Sequence, residues 1–192
     1  MSEKAKKGCE ILLHTCGAVK KGERVLVITD DTSREIGEAM YACASAFTDT
    51  TMVCMPDRST HGEAPTDAVA AAMKVSDVMF GATTFSLYNS TARIEACEAG
   101  SRFVNMADYS IKMLEEGCLF TDWDEIRRLV DETKEKIVGK ELSITTPAGT
   151  DFRTSIEGRH ADVGYGVSRE NGEASSPPDA ECAVGPADDS AE

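Results

Sequence analysis

No stretch of this sequence approaches the roughly 20 consecutive apolar residues that span a bilayer, and the lysine-rich start has no apolar signal core behind it. Membrane insertion is excluded on that reading, and a soluble, cytoplasmic protein is expected. Clustered basic residues are missing as well: 20 Lys and Arg against 34 Asp and Glu leave a net charge of -14. Neutralising phosphates needs a basic surface, so nucleic acid is not an expected partner. The seven cysteines (Cys9, Cys16, Cys43, Cys54, Cys97, Cys118 and Cys182) form an odd count with no C-x-x-C. Neither a disulfide framework nor a thiolate zinc knuckle follows from that spacing, and most of these thiols read as small buried hydrophobes. Also absent are G-x-G-x-x-G after the first strand and a lysine in a glycine loop, which removes the usual dinucleotide and phosphate cradles.

What is present is an alternation of short apolar runs and amphipathic segments. With 192 residues, 41% of them hydrophobic, the chain is long enough to bury a core. A helix over about 4–18 places Ile11, Leu12, Cys16 and Val19 on one side. Arg24 to Thr29 is a continuous apolar run bounded by Gly22 and Asp30, the pattern of a strand buried on both faces. Thr32 and Glu35 have capping-box spacing before a helix over about 33–47. Strands at 51–55, 77–80 and 102–106 alternate with helices at 66–76 and 91–99, and further helices follow at about 109–116 and 122–138. Short strands joined by crossover helices predict an α/β fold, an open parallel sheet with helices on both faces. Such sheets bind ligands beyond the carboxyl ends of their strands, which places the loops at 30–32, 56–65, 81–90 and 107–109 on one edge.

The period then changes. Glu141–Thr146 and Thr150–Glu157 alternate around Pro147-Ala-Gly-Thr150, a hairpin signal with Gly149 available for a positive φ. Residues 1–139 are therefore expected to form an α/β domain, and 140–192 the first strands of a truncated β-rich domain with an acidic, flexible tail. No strong strand is expected from Gly158 onward. Residues 161–192 carry Asp162, Glu170, Glu173, Asp179, Glu181, Asp188, Asp189 and Glu192 against Arg169 alone, the composition of a solvated tail.

Candidate chemistry is sparse. Asp30-Asp31 resembles the acidic pair of a phosphoacceptor domain, but no Asp ends the third strand, so turn and cap roles are expected for Asp30, Asp31 and Thr32. His14 lies within a helix without a metal-binding partner. His61-Gly-Glu63 sits in a loop on the ligand edge, where a histidine can bind or exchange protons, though a plain surface turn is the simpler reading. The loop 82–91 offers hydroxyls and an amide without a nucleophile and base pair. Glu181, between a proline turn and a short apolar stretch, is a rigidly placed carboxylate of the kind a metal uses, but one carboxylate is not a site.

Several segments, in order, resemble one family. They are Gly22 to Asp31, His61-Gly-Glu63, Thr84 to Tyr88 with Thr91-Ala-Arg93, Thr145 to Asp151, Ser155 to Arg159 and Pro178 to Pro186. They are similar to the thermophilic metallo-aminopeptidases, the aminopeptidase T and aminopeptidase S group, which includes dihydroxypyridine dioxygenase-like proteins. The resemblance implies an N-terminal α/β domain before a β-rich catalytic domain. It places Glu181 on the family's first metal-binding glutamate, with Ala180 where a glycine is usual and Asn89 where a histidine is common. The implied function is a hydrolase that removes N-terminal residues from peptides with a divalent metal: zinc, cobalt or magnesium. The alternative is 2,5-dihydroxypyridine ring cleavage with iron. Retention of Glu181 favours hydrolysis. No other ligand of the implied set is found in the sequence, so the chain alone is expected to be inactive, with peptide as substrate of the completed enzyme and a homodimer left open.

Overall fold

A computed structural model describes residues 1–187. Helix α1 (Glu3–Glu10) starts at Ser2, whose hydroxyl accepts the Ala5 N–H. It runs on into a wider, π-type turn, Ile11–Cys16, in which the Gly17 N–H reaches the Leu12 carbonyl at 2.8 Å. Widening leaves carbonyls without a regular partner. Arg169 takes Thr15 O at 3.1 Å, the Ser168 N–H takes Cys16 O at 2.6 Å, and Arg102 takes Gly17 O at 3.2 Å. The segment buries Leu12, Leu13, Cys16 and Val19, while Ile11 stays half-exposed.

Strands β1 (Val25–Asp30), β2 (Thr50–Met55), β3 (Val78–Ala82) and β4 (Arg102–Asn105) alternate with helices α2 (Arg34–Ser45), α3 (Asp67–Met73) and α4 (Thr91–Glu98). Helices α5 (Ile111–Glu115) and α6 (Trp123–Lys136) follow β4. The sheet is completed by β8 (Ala174–Ser175), giving the order β2-β1-β3-β4-β8 with every pairing parallel. All residues of β1, β3 and β4 are buried, as expected for central strands covered on both faces. On one side of the sheet Leu26, Ile28, Met79 and Phe103 pack with Val69 and Met73 of α3 and Ala96 and Cys97 of α4. The expected α/β fold is therefore observed.

Two small antiparallel sheets accompany it. Strands β5 (Glu141–Thr145) and β6 (Asp151–Ser155) form the predicted hairpin, with Gly149 at φ 104°. Strands β7 (Asp162–Gly164) and β9 (Glu181–Ala183) form the other. The described residues divide into two compact units: 1–123 with 166–179, and 124–165 with the residues from 180 onward.

Two sequence expectations need correction. The segment after Gly158 is not strandless, since β7, β8 and β9 lie within it. One of its acidic residues closes a turn: the Glu173 carboxylate accepts the N–H groups of Arg169 and Glu170 at 2.7 and 2.9 Å. Asp188, Asp189 and Glu192 of the expected acidic tail lie outside the described residues. The capping box at Thr32 and Glu35 is not formed either. Helix α2 begins one residue later, after Ser33, and the Thr32 hydroxyl instead bonds Asp57 at 2.7 Å.

Candidate functional site

Chain order reverses between β1 and β3, so their carboxyl ends border the crevice where open parallel sheets receive ligands. Asp30, the last residue of β1, is fully buried there. Its carboxylate accepts the Ser33 N–H at 2.8 Å, the Thr84 N–H at 2.6 Å and the Thr84 hydroxyl at 3.1 Å. Main-chain donors at a helix start are what a bound anion would seek. Here the chain's own carboxylate takes them. Asp31 is exposed and pairs with Arg34 at 2.7 Å. Asp57 receives both the N–H and the hydroxyl of Thr32, and those hydrogen bonds hold its carboxyl below the ordinary value. The turn role expected of Asp30 is realised in its bonds to Ser33 and Thr84, but the cap role is not: Thr32 ties to Asp57, and α2 starts without a side-chain cap.

Beside this crevice the loops after β2 and β3 meet. The Ser86 N–H donates to His61 Nδ1 at 3.1 Å, and the His61 ring stands edge-on to Phe85 with centroids 5.2 Å apart. The Ser86 hydroxyl donates to Asn105 Oδ1 at 3.2 Å, and Asn105 Nδ2 donates to the Ser176 hydroxyl at 3.2 Å. A serine whose proton goes to an amide oxygen is not activated as a nucleophile. Asn105 and Ser176 were not singled out in the sequence. The signal for Asn105 was its place at the carboxyl end of a strand, the position from which such sheets present polar groups.

Glu181 opens β9, where it pairs with Gly164 of β7, and it is exposed. With Ala180 and Cys182 it borders an open cleft of about 230 Å³ whose opposite wall is the apolar stripe of α6, Ile126, Leu129 and Val130. Among the described residues, no group of three or more His, Cys, Asp or Glu is placed to hold a metal ion. His14 stacks edge-on against Phe47 at 4.7 Å. Of the thiols, Cys9, Cys16, Cys43 and Cys97 are buried, and burial pushes Cys9 and Cys16 up to about 12 and Cys43 to about 11. Such groups remain protonated and inert as ligands. Glu181 is a carboxylate beside an apolar cleft.

Residues 5–192 match the family model for 2,5-dihydroxypyridine 5,6-dioxygenase (NicX). The fold is similar to the solved structure of 2,5-dihydroxypyridine dioxygenase from Pseudomonas putida KT2440, with a TM-score of 0.81 and 20% sequence identity. That alignment covers 100% of this chain and 59% of the other. No curated protein matches the chain. The expected aminopeptidase family is overturned by the family match, and the peptide-hydrolysing function expected with it falls too. The physical reason lies in what carried the resemblance: Asp30, Gly62 and Gly149 serve strand ends and turns of the scaffold, and scaffold residues do not distinguish hydrolysis from oxygenation. Retention of Glu181 alone had favoured the hydrolase.

Proposed function

Because the chain belongs to the 2,5-dihydroxypyridine 5,6-dioxygenase family, we propose that it serves the oxygenative opening of a dihydroxylated pyridine ring, with iron as the metal. The observation that carries this reading is the family match over residues 5–192. Iron in such chemistry activates O₂ and needs several converging donors, two His and a carboxylate being the common set. The described residues do not fit that requirement, since Glu181 has no second and third donor beside it. We therefore assign this chain the α/β body of the enzyme and route no chemical step through its own residues. Among the described residues, Glu181 is the candidate for contact with the metal. Seven free cysteines agree with a reducing compartment, and we place the protein in the cytoplasm. Among the described residues no helix is long and apolar enough to cross a membrane.

The test uses protein tagged at its N-terminus and expressed from its own gene locus, recovered with any polypeptide that continues or accompanies it. With Fe(II) and 2,5-dihydroxypyridine this material is expected to consume O₂ and bleach the substrate absorbance. Recombinant 1–192 is expected to do neither. Leucine release from leucine p-nitroanilide that a chelator abolishes, or no O₂ uptake by the locus-expressed protein, would overturn the proposal.

A further inference from the structure

The triplet His61-Gly62-Glu63, conspicuous in the sequence, has a distinct task for each member. Glu63 closes its own loop: its carboxylate accepts the N–H and the hydroxyl of Ser59 at 2.7 and 2.8 Å, bonds that hold its carboxyl below the ordinary value. Gly62 stands at φ 81°, a conformation that side chains other than glycine's resist, and from there its N–H donates to the Ser86 carbonyl at 2.8 Å. His61 Nδ1 accepts the Ser86 N–H at 3.1 Å. Both main-chain groups of Ser86 are thus held by two consecutive residues of the neighbouring loop. The loops 56–65 and 83–90 extend from β2 and β3, which are not adjacent in the sheet because β1 separates them. The pairing at Ser86 bridges over the end of β1.

An imidazole nitrogen can accept a hydrogen bond only when it carries no proton. The Ser86 bond therefore requires a neutral ring with its proton on Nε2. Protonation converts Nδ1 into a donor facing another donor, and one of the two bonds of the pairing is lost. We propose that His61-Gly62-Glu63 is a proton-operated clasp that locks the two loops together when His61 is neutral and releases His61 from Ser86 when it is charged. Imidazole is the side chain that changes charge in the physiological range.

Most charged groups around the clasp are engaged elsewhere. On the His61 loop, Asp57 is bonded to Thr32, and Arg58 pairs with Glu63 at 3.6 Å while donating to Pro56 O. The loop 83–90 carries no charged side chain. Beyond it, Arg93 stacks on Tyr88 at 4.7 Å and Asp30 is held by Thr84 and Ser33. Asp108, on the loop after β4, is tied to Thr83 O by its main-chain N–H, and its carboxylate is exposed to solvent. Phe85, edge-on to the ring, contributes no charge.

The experiment is NMR on the full chain labelled with ¹⁵N. Long-range ¹H–¹⁵N correlations at about pH 8 are expected to show the Nε2–H tautomer for His61. On acidification to about pH 5, the Ser86 amide shift should move with the same midpoint as the His61 ring, and its exchange should accelerate about tenfold beyond the intrinsic pH effect. The Met106 amide, bonded to Gly81 O at 2.9 Å, serves as the reference that should not follow. His61→Asn places an amide oxygen near the position of Nδ1 and should keep Ser86 protected at both pH values. His61→Phe should leave it unprotected at both. An Nδ1–H tautomer at the higher pH, a Ser86 amide that ignores the ring's titration, or a His61→Asn protein that still switches would each overturn the clasp.

Discussion

The carboxylate of Asp30 and the main chain of Thr84 are joined at 2.6 Å, so the buried end of β1 is tied to the turn after β3 by a charge-assisted hydrogen bond. The Thr84 hydroxyl and the Ser33 N–H complete the coordination of that carboxylate. Breaking it leaves half-buried donors without a partner at a buried site, which costs more than the bonds themselves contribute.

Asp30→Ala is accordingly expected to lower stability by about 2–4 kcal/mol, and Asp30→Asn by less, because the amide oxygen retains one acceptor. Urea unfolding followed by circular dichroism measures both. Equal losses for the two variants would show that the bond to Thr84 is not the source.

Gly8 gives a prediction in which two principles oppose each other. In a helix interior Ala is favoured over Gly by about 1 kcal/mol. A Cβ on Gly8 would however stand 2.1 Å from the Leu114 carbonyl oxygen, main-chain matter that cannot rotate away. Contact between α1 and α5 should win, and Gly8→Ala should destabilise by about 3 kcal/mol, lowering the melting temperature. A neutral or raised melting temperature would mean that the two helices separate at little cost.

The Arg24 guanidinium and N–H hold the Asp77 carboxyl below its ordinary value of 3.8. A carboxyl depressed on folding contributes stability above its unfolded value and loses that contribution as pH falls through its folded one. Wild type should therefore be more stable than Asp77→Asn at about pH 7, with the difference shrinking below 3.8 as Asp77 takes up its proton. Urea midpoints for both proteins across the acid range check the sign. A difference that widens on acidification would refute it.

Strands β1 to β4 were legible in the sequence, and the edge strand β8 was not. Val25 to Ile28 is continuously apolar because both faces of β1 are covered, so the pattern and the burial coincide. Strand β8 is two residues, Ala174 and Ser175, in a stretch that reads as an acidic loop. Its place is set by distant partners: Tyr88 donates to Ala174 O at 3.1 Å, and Ser168 bonds both Ser175 and Phe103 O. No local period encodes such a strand. The site divides similarly. The sequence placed His61 on the carboxyl edge, but the acceptor role of Nδ1 depends on Ser86, 25 residues away. At Glu181 the sequence identified a single carboxylate, and one donor cannot disclose which metal or which reaction it would serve.

Strand β8 has a consequence for the order in which this protein is made. The fifth strand lies beyond the β5–β6 hairpin and β7 in the chain, yet it docks beside β4, which was translated well before them. Until the ribosome has released Ala174 and Ser175, the open side of β4 has no strand to pair with, while the hairpin between them is already complete in sequence. Through that interval the nascent sheet carries an unsatisfied border that folding factors, or a misplaced strand, can reach.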